Sequence, residues 1–321
     1  MRRRRKGSKI IGLLILLGGI CAGLLAEPAL QDSLRAGEET GAQISDVQSV
    51  ENSGGELTGG QMEVHFIDVG QGDAVLIKSA DASMLVDAGD DSKGTAIQNY
   101  LQKQGIERLN YLVLTHPDSD HIGGAPVIIE KFEIDQVFLS DFEKDNSTYR
   151  KLVQALDNKG LVGSTPSVGQ VFSLGDAQVT ILGPCDTYSD PNNASLALLV
   201  QNGEDSFLFT GDAEEEGELA MLESGLSLKA DVYKAGHHGS KTSSSEAFLD
   251  AVQPEFAVIS CGEGNSYGHP SAQTLNSFRS RGIQVFRTDE QGSIVAVSDG
   301  ENITWNCAPS DTWQAGEPFG E

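Results

Sequence analysis

Cysteine is scarce in this chain, four residues in 321, and Cys185, Cys261 and Cys307 form no CxxC pair. That spacing argues against a thiolate metal site. In an oxidising exterior it leaves room for one disulfide, with no pairing preferred, and Cys261 also fits a small buried residue. Basic residues are few as well: 22 Lys and Arg face 47 Asp and Glu, for a formal net charge of −25. Without residues 1–26, which hold six Lys and Arg and no acid, the charge falls to −31. Such a surface repels a polyanion at long range and excludes a broad basic nucleic-acid face. Screening beyond ~8 Å at physiological salt still permits a local positive groove, for which Lys234, Lys241, Arg279, Arg281 and Arg287 are the available charges. Long apolar runs are limited to residues 10–26, and no short-period repeat is present.

Histidine is also rare, and its placement is the most informative feature. Five of the six, His116, His121, His237, His238 and His269, lie in turns, while His65 sits inside an apparent strand. The densest cluster, THPDSDH at residues 115–121, directly follows the apolar run 109–114. A strand ending in a tight loop lets His116, Asp118, Asp120 and His121 converge. Their nitrogen and oxygen donors suit zinc or manganese rather than a thiolate-seeking ion. Four donors so close together, with more arriving from elsewhere, predict two ions rather than one. The plain alternative is a polar turn in which Asp120 caps a helix starting near Ile122.

Strand-like runs at residues 64–69, 74–77, 111–114, 179–182, 194–200, 206–209, 231–234 and 256–259 alternate with amphipathic stretches at 95–104, 149–158, 215–223 and 272–281. The pattern predicts an α/β class, sheets covered by helices. Asp212 closes one of these strands and so belongs at the same sheet edge as the histidine loop. The glutamates after it, Glu214 to Glu218, read as an acidic first turn. Asp68 and Asp73 flank the turn Gly70-Gln71-Gly72, which fits either an anion-binding turn or a simple hairpin.

The run THPDSDHIGG resembles the metal-binding signature of the metallo-β-lactamase superfamily, commonly HxHxDH. Further motifs follow in order: MEVHFIDVGQGDA (62–74), MLVDAG (84–89), FTGD (209–212), KAGHHGSKTSSS (234–245), YGHPS (267–271) and RTDEQGS (287–293). Together they are similar to the hydrolase domain of ComEC-type DNA-competence proteins, over roughly residues 61 to 307. The resemblance implies a metallo-β-lactamase-like αββα sandwich of two mixed sheets flanked by helices, with two divalent ions, zinc or manganese, at one sheet edge. It implies that His116 and Asp118 hold the first ion, Asp120 and His121 the second, and that Asp212 bridges them. His237 is favoured to complete the second site, with His238 facing substrate; the reverse assignment stays open. Asp120, His238 and His269 are the expected catalytic groups. Asp68, Asp73 and Asp87 are the expected supports behind the ligands, although Asp87 also reads as a solvated strand-end aspartate and His269 as a structural turn residue beside Pro270.

Two departures stand out. Asp118 occupies the position that usually carries a second histidine, which favours manganese. No histidine lies between His121 and His237, where the superfamily usually places another ligand; Asn192, Asn193 and Ser195 are found there. The first site is therefore expected to be the weaker.

Two ions sharing a carboxylate acidify a water between them and stabilise charge on a phosphoryl or carbonyl oxygen. The implied function is a metal-dependent phosphodiesterase or nuclease, with DNA or another phosphodiester as substrate. The alternatives are a β-lactam or envelope phosphorylcholine ester, and a non-catalytic binding module. No protein partner is implied, and with one hydrophobic segment DNA uptake cannot be read from the chain. Met1 to Lys6 followed by the apolar run predicts a signal peptide or N-terminal membrane anchor over residues 1–26. Ala26 suits a cleavage site and Leu24 does not, while the length approaches the ~20 residues that span a bilayer. The rest is thus expected to be exported, either extracellular or tethered to the outer face of the membrane. Residues 27–60 read as a disordered linker, 61–308 as the hydrolase domain and 309–321 as a tail.

Overall fold

The computed structural model describes residues 57–317. The expected export segment and nearly all of the linker lie outside the described residues. Among those described, no helix is long and apolar enough to cross a membrane.

Two sheets form the centre. The first holds β1 (Met62–Phe66), β2 (Val75–Ser79), β3 (Ser83–Val86), β4 (Arg108–Leu114), β5 (Glu133–Leu139) and β6 (Gly163–Ser164), with β14 (Ile294–Ser298) and β15 (Ile303–Trp305) returning to its edge in the order β15-β14-β1-β2-β3-β4-β5-β6. The second runs β13-β12-β11-β10-β9-β8-β7: β7 (Val171–Leu174), β8 (Ala177–Gly183), β9 (Ala197–Asn202), β10 (Asp205–Phe209), β11 (Val232–Lys234), β12 (Phe256–Ile259) and β13 (Gln284–Arg287). Both are mixed: β3 to β6 and β10 to β13 are parallel, the remainder antiparallel. Helices α1 (Gly94–Lys103), α2 (Ser119–Ile122), α3 (Ala125–Lys131) and α4 (Ser147–Lys159) accompany the first sheet. Those accompanying the second are α5 (Glu215–Glu223), α6 (Glu246–Val252), α7 (Ala272–Ser280) and α8 (Thr288–Gln291). The αββα expectation is met.

The sequence produces these layers through strands buried on both faces. In β10, Phe207 and Phe209 enter the core between the sheets, while Leu208 packs with Tyr233 and Phe248 beneath the helices. Each such side chain contributes about 1.5–3 kcal/mol on burial. A strand covered twice reads as a continuous apolar run rather than an alternating one. The helices carry their own punctuation. Asn146 caps α4 by accepting from the Tyr149 amide, and left-handed Gly160 ends it; Ser245 and Ser271 cap α6 and α7 in the same way.

Two expected strands are displaced. The first ends at Phe66 because residues 67–73 leave the ladder to form the glycine turn, and Ile67 N–H rejoins only at Ala74 O. The run at 194–200 enters β9 at Ala197, because Leu196 N–H is taken by Thr115 O of the other sheet's loop, 2.9 Å away.

That crossing matters because the carboxyl ends of the parallel strands from both sheets open on one edge, where ligand sites form in open α/β sheets. Glycine permits the closest approach there. A Cβ on Gly124 would lie 2.2 Å from the Ala88 carbonyl oxygen, so the start of α3 touches the loop after β3 backbone to backbone. Gly124→Ala is expected to lower stability by about 1–3 kcal/mol through overpacking, read as a drop in the thermal midpoint of the metal-free protein. An unchanged midpoint would show that the loop yields freely.

Candidate metal centre

Asp87 follows β3 in a left-handed conformation at φ 58°. Its carboxylate accepts from Thr115 N–H at 2.8 Å and Thr115 Oγ1 at 2.7 Å, and it lies 2.8 Å from His121 Nδ1. It is buried, which raises its pKa against the pull of His121. Asp87 thus ties the end of β4 to the first turn of α2 and orients the His121 ring. It is not a solvated strand end.

The other nitrogen of His121 faces the centre. Nε2 is 3.3 Å from Asp212 Oδ1 and 3.3 Å from His238 Nε2. His238 Nε2 in turn is 3.5 Å from Asp212 Oδ2 and 3.3 Å from Asp120 Oδ2. His116 Nε2 and His237 Nε2 approach Asp212 Oδ2 at 3.8 and 3.7 Å. Asp212 is therefore the hub of four imidazoles. Its loop is held by Ser195 Oγ, which accepts the Asp212 amide, and by Asn193 Oδ1, which accepts the amides of Glu214 and Gly217.

Asp73, His121, Asp212 and His238 offer ligand atoms within 4.8 Å of one another, all buried. Asp73 differs from the other three, because its Oδ2 already meets Lys234 Nζ at 2.5 Å and its oxygens face the rear Nδ1 atoms of His121 and His238. That is a position behind the two imidazoles, whose rear nitrogens are held by Asp87 and by the Ser260 carbonyl oxygen. Asp120, whose oxygen meets His238 Nε2, lies on the inner side. The Gly70–Gly72 turn is no free hairpin either: a Cβ on Gly72 would stand 2.4 Å from Asp120 O.

Other expected residues are placed apart. Asp118 does not enter the cluster; its Oδ1 receives Lys144 Nζ at 2.6 Å. Asp68 is exposed and closes its own turn by accepting from Gly70 N–H. His269 adjoins the centre, with ring centroids 5.4 Å from His237 and 6.3 Å from His238, and Asn265 fixes its backbone. His65 lies elsewhere, between Tyr100 and Glu63. Cys185, Cys261 and Cys307 are free thiols, with Cys261 buried.

Lys234 is the residue that sequence reasoning misplaced. It was expected to charge a groove, yet it is 2% exposed and paired with Asp73. Arg281 is engaged by Glu246 and Asp250, Arg287 by Asp289 and Glu290, and Arg279 lies over Trp313. Of the five charges expected to line a groove, Lys241 alone has no such partner among the described residues.

The donor set fits divalent cations. His116 Nε2 and Asp212 Oδ1 are buried with no hydrogen-bond partner, a costly state unless something charged or polar fills it. Burial disfavours charge on His121 and His238, but Asp212, aided by Asp87 and Asp73 respectively, overrides it. His121 rises well above its usual range and His238 to about 10. Burial also opposes charge on Asp212 and Asp120. His121 and His238 nevertheless hold Asp212 well below the carboxylate range, and the same two histidines lower Asp120. Burial and the adjacent His121 charge pull His116 down to about 3, and burial with His238 pulls His269 to about 4. Nitrogen and oxygen donors without thiolate match zinc or manganese chemistry.

A two-sheet sandwich with buried histidines and aspartates gathered at one edge defines a class of metal-dependent hydrolase folds. The chain belongs to the Metallo-beta-lactamase superfamily, which it matches over residues 67–263. It is 33% identical to ComE operon protein 3 of Bacillus subtilis (strain 168) over 251 residues, covering 72% of this chain and 32% of that protein. It is 26% identical to Exodeoxyribonuclease YycJ of Bacillus anthracis, over 44% of this chain and 56% of that one. The chain thus spans about a third of the length of the first relative and about half of the second. The fold is shared with the metallo-beta-lactamase fold protein YhfI from Bacillus subtilis, at TM-score 0.51 and 14% identity, over 74% of this chain and 99% of that one.

Proposed function

We propose that this protein is a binuclear, divalent-metal phosphodiesterase that acts on DNA outside the cytoplasm. The observation that carries the reading is the set of four imidazole nitrogens around the two oxygens of Asp212, at 3.3 to 3.8 Å. Bound divalent ions supply acidity to water and positive charge to phosphoryl oxygens. His121, His238, Asp120 and Asp212 would hold one ion, with His116 beside them for a second; His238 thus takes the ligand role for which the sequence favoured His237. Asp87 fixes the His121 imidazole from behind, and the Ser260 carbonyl oxygen that of His238. His269 offers its Nδ1, buried and without a partner, for a proton or for a substrate oxygen. The substrate class draws support from the similarity to an exodeoxyribonuclease and to a ComE operon protein. The location outside the cytoplasm rests on the basic residues 2–6 followed by the apolar run 10–26.

The acidic surface and the pairing of the nearby arginines leave little to attract DNA at a distance, so binding must come from the centre itself. The test is cleavage of linear single- and double-stranded DNA by the purified chain with manganese or zinc, beside an Asp120→Ala variant. Metal-dependent cutting that the variant loses is the expected result. A chain that binds metal and leaves both DNA forms intact would move the assignment to a β-lactam or an envelope phosphorylcholine ester.

A further inference from the structure

We propose that Tyr267 is a stacking platform for a nucleobase, so that the centre takes its DNA as a single strand or an opened end. The inference rests on the DNA reading above and narrows its substrate class. Tyr267 is 66% exposed and is the one exposed aromatic among the described residues. It does not stand alone. Its ring stacks on that of His269, with centroids 5.6 Å apart and planes 23° from parallel, and His269 adjoins the rings of His237 and His238. The exposed ring thus extends the centre by one side chain.

The loop that carries Tyr267 is firmly built. Asn265 is buried; its Oδ1 accepts the amides of Tyr267 and His269 at 3.1 and 3.0 Å, and its Nδ2 donates to the carbonyls of Gly262 and His269 at 2.9 and 2.6 Å. The flanks are tied as well. Gly262 N–H donates to Gln71 Oε1 in the glycine turn of the first sheet, Ser271 N–H to Gly239 O, and Gly316 N–H, near the end of the chain, to Pro270 O. The ring therefore stands in place before a ligand arrives, which lowers the ordering cost of binding.

The surroundings decide what such a ring recognises. Residues 262–270 hold no Lys or Arg and one acid, Glu263, so the loop offers no charge to a phosphate. A flat exposed aromatic instead receives another flat π system, and every base has such a face. In a duplex those faces are stacked on one another, whereas a single strand or an opened end presents them free. Stacking also needs no positive surface, which a chain of net charge −25 lacks. The centre and the ring then divide the strand between them, phosphate to the one and base to the other. Because any base can stack, little sequence preference is expected.

The experiment compares strands with and without bases. The full chain, equilibrated with manganese, is mixed with a labelled thymidine oligonucleotide or with the same phosphodiester backbone made abasic, and anisotropy is followed by stopped flow so that binding is read ahead of cleavage. Wild type is expected to prefer the base-bearing strand by about 5–150-fold, the worth of one base stacked on an aromatic ring. Tyr267→Ala is expected to lose that preference by binding the base-bearing strand more weakly and the abasic one unchanged, while Tyr267→Phe keeps it. In Tyr267→Trp the added indole fluorescence is expected to fall when the base-bearing strand binds and to stay level with the abasic one. Equal affinity of wild type for the two strands, binding of neither, or a preference in Tyr267→Ala equal to that of wild type would overturn the assignment. A wild type that shows the preference yet cuts neither strand would overturn the hydrolysis of DNA and leave the platform standing.

Discussion

Asp212→Asn should lower metal-dependent hydrolysis by about a thousandfold, the largest effect expected of any single change in this protein. The amide has the same shape, and Ser195 holds the residue through its backbone amide, so the loop should keep its path. The variant loses the negative charge shared by the imidazoles of His116, His121, His237 and His238. Lewis-acid stabilisation of the transition state is worth several kcal/mol, and each 1.4 kcal/mol is a factor of ten in rate. The measurement is the turnover rate at saturating manganese, together with metal content. A variant with at least a tenth of the wild-type rate would show that Asp212 is not the hub of the chemistry.

Lys234→Met should be the most destabilising substitution. Lys234 and Asp73 are both buried, and their charges meet at 2.5 Å. Removing the ammonium takes away the shortest contact of the buried Asp73 carboxylate and leaves it only the rear nitrogens of His121 and His238, a loss of up to about 3–5 kcal/mol. At about 2–4 °C per kcal/mol for a domain of this size, the midpoint of the metal-free protein should fall by about 6–20 °C. The double variant Asp73→Asn, Lys234→Met should regain most of that loss, because no charge is then left unpaired. The pH dependence has a definite sign. Burial would raise the Asp73 pKa, but Lys234 and then His238 lower it from 3.8 to about 2. Its pairing therefore contributes fully above pH 3.8 and is lost as pH falls through about 2. A single variant that melts within 2 °C of wild type would show that water or a rearranged partner compensates Asp73.

Some of this was legible in the residues. The run ending at Phe209 announced β10, and the Gly-Asp that follows placed Asp212 at a sheet edge. Helix α5 has the bounds expected from its pattern, because acidic residues favour a first turn and Met221 faces the core. The loop of His116 and His121 was legible because few folds tolerate so many donors after an apolar strand.

The rest depended on contacts that a linear pattern does not carry. Neighbouring residues on an ordinary backbone point apart, so the sequence offered a choice between His237 and His238. The left-handed geometry of both lets each ring reach Asp212. Asp118 and Asp120 look equivalent as letters, yet the start of α2 turns one toward Lys144 and the other toward His238. Lys234 was read as surface charge because lysine is almost never fully buried unless paired, and its partner Asp73 lies far away in the chain. The displaced start of β9 has a similar origin, since the carbonyl that claims Leu196 belongs to the opposite sheet.

Asp120 and His121 hang from the first sheet, and Asp212 and His238 from the second. A chain with one sheet formed holds half a donor set and has no cation affinity worth the name. Occupancy is conditional on the two halves having docked, and by the same linkage each bound ion draws the population toward the docked form. On the proposed reading, divalent cation supply would add to the stability of the docked form, and a chelator would lower its thermal midpoint as well as remove the ions that hydrolysis needs.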